Sequence, residues 1–374
     1  MKQYRPSYYK HFRCIAGSCS DNCCIGWEID IDPTSDAFYR SITGDFGRRL
    51  QHEIQRDESG AQFILKGERC PFLNEQNLCD IYIHLGQPAL CEICTQHPRY
   101  HEWFGDWKES GVGLCCEAAG RLIFSQEEPA SFELVEIHED PSDLVDEEAF
   151  SALFIARETA FSLVQNHSLP FAQRLVLLLN YGEDLQSALN WQDWESIRSI
   201  AADYRDEAFL SAETFAMPTP QGCSSMKQLL TFLSQLEPID PQWPSLLLSI
   251  REQLQELLSA RNAFRSTWLR WQQDMEQLAV YFLFRYFCKS LFDEDFRSKT
   301  LLIVCACIII SLLDVECFQR KQTFSLEDRI FTAKQFSKEI EYCTENLEAL
   351  WDGFWQEKEL SIPAFLEMIS LLFA

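Results

Sequence analysis

Ten of the sixteen cysteines fall in the first 116 residues: Cys14, Cys19, Cys23, Cys24, Cys70, Cys79, Cys91, Cys94, Cys115 and Cys116. Thiolates are soft ligands that select zinc, copper(I) or iron–sulfur clusters, so thiols gathered by folding point to a metal site. The spacing is C-x4-C-x3-C-C over residues 14–24, then Cys70 and Cys79, C-x2-C at 91–94, and a vicinal pair at 115–116. This is no simple zinc-finger pattern. Side chains of adjacent cysteines tend to diverge, so one member of each vicinal pair is expected to serve a different metal or to be buried. The six later cysteines are expected to fill the core, as Cys305 and Cys307 do inside an apolar run.

Other groups near the thiols could take part. His97 and His101 flank Pro98 and Arg99 and are candidates for ligand, general base or hydrogen-bond donor, with a structural histidine as the ordinary alternative. Arg99 could grip a carboxylate with both nitrogens, or form a structural ion pair. Asp30 and Asp32 lie on the polar face of a strand candidate and are expected to be solvated. Trp103 and Trp107 could shield a cluster from water or simply pack in the core. Arg285, set among aromatic residues, is expected to stack on them or pair with an acid.

Positioning these groups requires two kinds of chain. Eleven of the fourteen glycines lie in residues 1–120, so the first part is loop-rich. There, residues 27–32 (WEIDID) alternate apolar and acidic side chains, which predicts a half-buried strand stopped by Pro33; Ala61 to Lys66 is a second strand candidate. Ser35 to Gln55 is read as a helix with Phe38, Ile42 and Phe46 on one face. From about residue 131 the spacing becomes helical, as in Met226, Leu229, Leu230, Leu233 and Leu236. Ser168 with Pro170 signals a helix start, and Pro218, Pro220 and Gly222 mark a connection. The acidic stretch 139–147 reads either as a linker or as an exposed helix start. The expected fold is mainly α: a cysteine-rich, metal-binding α+β region over 1–130, followed by a helical domain over 131–374.

Charge bounds the partners. The formal net charge is −25, with −6 in residues 1–130 and −19 in the remainder. Such a surface repels phosphate backbones, so no nucleic-acid partner is expected, whereas a lysine-bearing protein is accommodated easily. The start of the chain lacks an apolar signal-peptide core, and Leu301 to Leu313, thirteen residues, is too short for the ~20 that span a bilayer. A cytoplasmic protein with a buried apolar helix and no transmembrane segment is expected. Reduced cytosolic thiols then favour ligands over disulfides.

The block from Tyr8 to Trp27 (YYKHFRCIAGSCSDNCCIGW) resembles the opening of the bacterial flagellin lysine-N-methylase family. The order continues through Cys70-Pro71-Phe72-Leu73, Leu78-Cys79-Asp80-Ile81-Tyr82, Cys94-Thr95-Gln96-His97-Pro98-Arg99 and Cys116-Glu117-Ala118-Ala119, and then through Tyr281–Phe287 and Phe336–Glu341. The N-terminal block is also similar to a wider set of zinc- or iron-chelating cysteine-rich domains. The family resemblance implies methyl transfer from S-adenosylmethionine to lysine side chains of flagellin, with an iron–sulfur cluster (4Fe-4S; zinc as the alternative) as metal centre. The matching cysteines are Cys14, Cys19, Cys23, Cys24, Cys70, Cys79, Cys94 and Cys116, whereas Cys91 and Cys115 are additions in this chain. His97 stands where the family pattern has an aromatic residue. The C-x3-C-x2-C triplet of most radical S-adenosylmethionine enzymes is absent, since Gly26 follows Cys19 and Cys23 at the third position.

No conventional nucleotide-binding βαβ pattern is visible, and Gly111-Val112-Gly113 reads as a turn beside the metal. Lysine is protonated at neutral pH, so polar methyl transfer needs a base or a desolvating pocket, and a radical route needs a reducible cluster. The competing readings are a non-catalytic zinc- or iron-chelating binding module and a thiol redox sensor. Catalytic and cofactor-binding residues are not assigned by the sequence.

Overall fold

The thirteen-residue apolar run lies within the long helix Phe296–Lys321, which organises the helical half. Asp295 starts this helix by accepting the Ser298 N–H at 2.8 Å, and Gln322, in the left-handed region at φ 59°, ends it. In length and composition the helix could cross a membrane, but 94% of its apolar window is buried inside the protein, so it is a core helix. It packs against the helices Phe171–Leu189 and Trp271–Tyr286. Gly182 permits the first approach, because a Cβ there would stand 2.3 Å from the Thr300 hydroxyl. Met226, Leu229, Leu230 and Leu233 share the buried face of the helix Ser224–Leu233, as their spacing predicts. The computed structural model describes residues 1–374 except 20–22, 27, 59, 142–144, 213–218 and 220–221. Trp27, Pro218 and Pro220 therefore lie outside the described residues.

Among the described residues there are seven strands: β1 (Lys2–Pro6), β2 (Asp30–Ile31), β3 (Ile54–Asp57), β4 (Gly60–Phe63), β5 (Arg99–Phe104), β6 (Trp107–Val112) and β7 (Phe132–Glu136). One sheet has the order β5-β6-β1-β7, with β1 parallel to β6 and the other pairs antiparallel. It joins the helical core through Tyr4, whose ring packs against Phe132, Phe154 and Phe284. Beneath Tyr4, Arg157 and Glu109 form a fully buried double hydrogen bond at 2.5 and 2.6 Å.

The second sheet, β2-β4-β3, belongs to a lobe with its own core of twelve buried side chains, among them Ile29, Tyr39, Leu50, Phe63 and Phe72. Its local structure departs from the expectation in two places. The alternating stretch yields only the two-residue β2, because Asp32 turns the chain and caps the helix Pro33–Ser41, with Pro33 at its first position. The helix expected over 35–55 is broken at Ile42 and Thr43, restarts as Gly44–His52 and gives way to β3. The expected boundary near residue 130 falls just before β7, so a strand from beyond it completes the N-terminal sheet.

Candidate metal centre

Inside the lobe, five thiols share one packed cluster: Cys70 and Cys91 are buried in it, and Cys24, Cys79 and Cys94 pack against it. Short-range backbone geometry draws them in. The Cys70 N–H donates to the Cys24 carbonyl at 2.8 Å, Leu73 turns back on Cys70 at 3.1 Å, and Leu73 bridges to Cys79. Cys91 and Cys94, three apart at the start of the helix Glu92–Gln96, place their sulfurs 3.4 Å from one another. Asp32 braces this helix: its second carboxylate oxygen accepts the Glu92 N–H at 2.9 Å. The expectation that Asp32 is merely solvated is thus corrected, since it ties together two helix starts.

The electrostatics follow from this crowding. Burial pushes the Cys70 thiol up to about 11, with Cys79 and Cys91 adding to the rise, while the N–H groups of Phe72 and Leu73 oppose it. Cys79 is likewise raised by burial, and the N–H groups of Tyr82 and Ile81 face its sulfur. Within the close pair, Cys94 stabilises a thiolate on Cys91, which is lowered, and is itself raised well above the ordinary thiol range. The vicinal Cys23 and Cys24 interact with one another, against the divergence expected for neighbours, and this is the largest cause of the rise at Cys24.

A second group lies where the N-terminal segment meets the helices. Cys116 stands at the start of the helix Glu117–Phe124, and burial pushes its thiol to about 12; the N–H groups of Ala118 and Ala119 oppose this, and Cys19 and Cys23 add to it. The Cys19 sulfur lies 3.7 Å from a Glu117 carboxylate oxygen. Cys14 is exposed, with the Ala16 N–H directed at its sulfur at 3.4 Å. Cys115 is buried, 4.0 Å from His97 Nε2, and pairs with Tyr342.

Behind this group is a buried polar network that motif reading reached only in part. Arg285 pairs with Glu341 at 3.0 Å and donates to the Tyr281 hydroxyl at 2.7 Å. Tyr281 and Tyr286 donate to Glu341 at 3.0 and 3.1 Å, and the guanidinium lies over the rings of Tyr100 and Tyr342 at 4.7 and 4.9 Å. The Leu114 N–H reaches the Tyr281 oxygen at 3.2 Å, which fixes the turn carrying Cys115 and Cys116 to the helices. Gly113 is needed in that turn because a Cβ would stand 1.8 Å from the Tyr342 hydroxyl. A π-helical turn, Ser337–Glu341, presents Glu341 and Tyr342 here. The second carboxylate oxygen of Glu341 is buried with no hydrogen-bond partner among the described residues. Arg285 therefore does both things expected of it, stacking and pairing. Glu341 closes the quoted similarity stretch and Tyr342 lies one residue past it, with no spacing signal to mark it.

The remaining predicted residues are placed as follows. Burial, then the charge of Arg285, holds His97 neutral with its pKa lowered to about 4. His101 is lowered to about 4 by burial and Lys108, and its Nδ1 lies 2.8 Å from the Ser110 hydroxyl. Arg99 lies over the Phe12 ring at 4.8 Å. Asp30 is exposed at the start of β2. Trp103 is exposed with Lys108 over its ring, and Trp107 packs with Tyr4 and Phe154. Gly111 and Val112 end β6, with Gly113 in the turn before Cys115. Cys305 and Cys307 are core residues with no exposure.

The donor types suit a soft metal, although among the described residues no three donors already stand in a ligating arrangement. Cys91 and Cys94, with sulfurs 3.4 Å apart, come close to one, since a tetrahedral thiolate site with bonds of about 2.3 Å puts its sulfurs about 3.8 Å apart.

Comparison with known proteins adds a second line of argument. A family model described as the FliB lysine N-methylase C-terminal domain matches residues 157–368. The chain is similar to the flagellar biosynthetic protein FliU of Salmonella muenchen, 30% identical over 129 residues, 32% of this chain and 75% of that one. It is also similar to the lysine-N-methylases of Salmonella choleraesuis and Salmonella typhimurium, 29% and 28% identical over 129 residues. Those matches span 32% of this chain and 31% of each methylase. No solved structure matches.

Proposed function

Because the chain belongs to the FliB lysine N-methylase family, we propose that it is a protein-lysine N-methyltransferase. It uses S-adenosylmethionine, acts in the cytoplasm and takes flagellin as its protein substrate. The family match carries this reading, and the acidic surface, net charge −25, supports a lysine-bearing partner. Cys14, Cys19, Cys23 and Cys116 would hold the iron–sulfur centre, since Cys19, Cys23 and Cys116 interact at the junction with the helical half and Cys14 lies five residues before Cys19. When bound, such a four-thiolate centre would supply an electron to the cofactor.

The chain's own residues have separate tasks in this reading. The N–H groups of Ala118 and Ala119 favour the thiolate of Cys116. Tyr281 holds the Leu114 backbone and so the turn bearing Cys116. His97, neutral at physiological pH, stands beside Cys115 with its Nε2 4.0 Å from the sulfur.

A second reading, the metal-chelating binding module, is favoured by one observation. Five thiols, Cys24, Cys70, Cys79, Cys91 and Cys94, are gathered in the lobe's own core, apart from the core of the helical half. The deciding experiment incubates anaerobically purified full-length protein with reductant, methyl-labelled S-adenosylmethionine and unmethylated flagellin. Labelled methyl-lysine is the expected product; intact cofactor and unmodified flagellin would leave the binding module as the reading.

A further inference from the structure

The lobe poses a stability problem that its apolar residues do not solve. Residues 29–96 carry four short helices, Pro33–Ser41, Gly44–His52, Asp80–Leu85 and Glu92–Gln96, a three-stranded sheet whose edge strand β2 has two residues, and only twelve buried core side chains, two of them cysteines. A core of this size rarely suffices alone, and natural modules of similar size add a staple. Cys70, Cys79, Cys91 and Cys94 form no disulfide with one another, so such a bond does not provide it.

The thiols are gathered where a staple is needed, one pair of them already in contact. Cys91 and Cys94 are 3.4 Å apart, already close to the edge of a thiolate tetrahedron. Cys70 and Cys79 flank Phe72 and Leu73, with Asp80 N–H donating to the Phe72 carbonyl at 2.7 Å, so the two segments meet inside the same core as Cys91. Each of Cys70 and Cys79 has two backbone N–H groups facing its sulfur, from residues two and three positions on. Such donors stabilise a thiolate that coordinates a cation. The junction thiols Cys19 and Cys116 are instead associated with Glu117 and with the core of the helical half.

We propose that Cys70, Cys79, Cys91 and Cys94 form a closed, structural metal site of the zinc class, separate from the thiols at the junction. The site holds together the lobe's helices and sheet, and Asp32 aligns the Cys91–Cys94 helix for it. Cys91, an addition relative to the family pattern, is a ligand here. The assignment rests on the functional reading only in leaving the junction thiols to the reaction centre.

The test measures zinc and iron per full-length protein in wild type, Cys91→Ser/Cys94→Ser and Cys19→Ser/Cys116→Ser, with hydrogen exchange followed on the same samples. The first pair is expected to lose about one zinc and keep its iron, and its lobe peptides to exchange at least about tenfold faster while those of 296–321 stay protected. The second pair is expected to keep its zinc. A wild type without zinc, a first pair with unchanged zinc, or loss of all metal in both pairs would overturn the proposal, the last by indicating one shared centre. If the first pair does not fold, chelation of the wild type replaces it: lobe-restricted acceleration is expected, and unchanged lobe protection after zinc removal would overturn the site. Failure of methylation alone would leave these metal ratios untouched, so the two readings fail independently.

Discussion

Cys91 in the lobe and Cys305 in the long helix are both completely shielded from water, yet their surroundings differ in kind. Cys305 is raised by burial, with Cys307 the only added influence, and its neighbours along the helix are apolar. Cys91 has a second sulfur at 3.4 Å, a partner that stabilises its thiolate, and a core of only a dozen buried side chains around it. The helical half holds itself together by burial, since the helix Phe296–Lys321 is enclosed by its neighbours and its caps are satisfied. In the lobe, by contrast, two of the twelve buried core side chains are cysteines and three more thiols pack against that core. Burial alone therefore does not distinguish an idle thiol from a ligand; the polar groups turned toward it do.

The contrast can be broken first from the helical side. Arg157→Ala would leave Glu109 buried without its partner, at a cost of about 3–5 kcal/mol, read as a lower denaturation midpoint of the main transition. Metal content per folded molecule should be unchanged, because Arg157 packs among Tyr4, Phe154, Phe161 and Phe284, and the thiol near it, Cys288, belongs to neither the lobe nor the junction group. An equal loss of zinc would show that the two regions unfold as one.

Acid should act on the region between them. His97 and His101 are held neutral to about pH 4 by burial, whereas unfolded histidines titrate near 6.5. Below 6.5 the unfolded state takes up protons that the folded state does not, so stability is fully present above that pH and falls as pH drops towards 4. His97→Gln should remove part of this dependence, about 3 kcal/mol at most, in denaturation curves recorded across the window. A profile identical to wild type would show that His97 is already solvated.

Smaller effects refine the picture. Asp32→Ala removes the acceptor for both the Ser35 and Glu92 N–H groups and should cost about 1–2 kcal/mol, felt by lobe peptides in hydrogen exchange and not by the helix Phe296–Lys321. Cys305→Ala should cost about 1 kcal/mol through a small cavity and leave zinc and iron ratios as they were. Loss of metal in that variant would remove the distinction between the two classes of cysteine.

How much of this was legible in the residues differs between the regions for the same physical reason. The helical stripe Met226, Leu229, Leu230, Leu233 and the run from Leu301 to Leu313 announce their helices because burial is written as periodicity. In the lobe, caps and turns decide the path: Asp32 and Pro33 convert a strand pattern into a helix start after two residues, and Ile42 breaks what reads as one helix. The cysteines were identifiable by type and clustering, but their division into a lobe group and a junction group depends on tertiary contacts between residues tens of positions apart. Arg285 stood out among aromatic residues, whereas its partners Glu341 and Tyr342 are supplied by a π-helical turn that leaves no mark in spacing.

The most direct test of the functional account is methyl transfer by Cys116→Ser, assayed anaerobically with S-adenosylmethionine and flagellin, alongside its circular dichroism and zinc content. The account predicts a folded protein that keeps its zinc, has lost its iron and transfers no methyl group. Wild-type methylation by this variant would contradict it and move the chemistry away from the junction thiols.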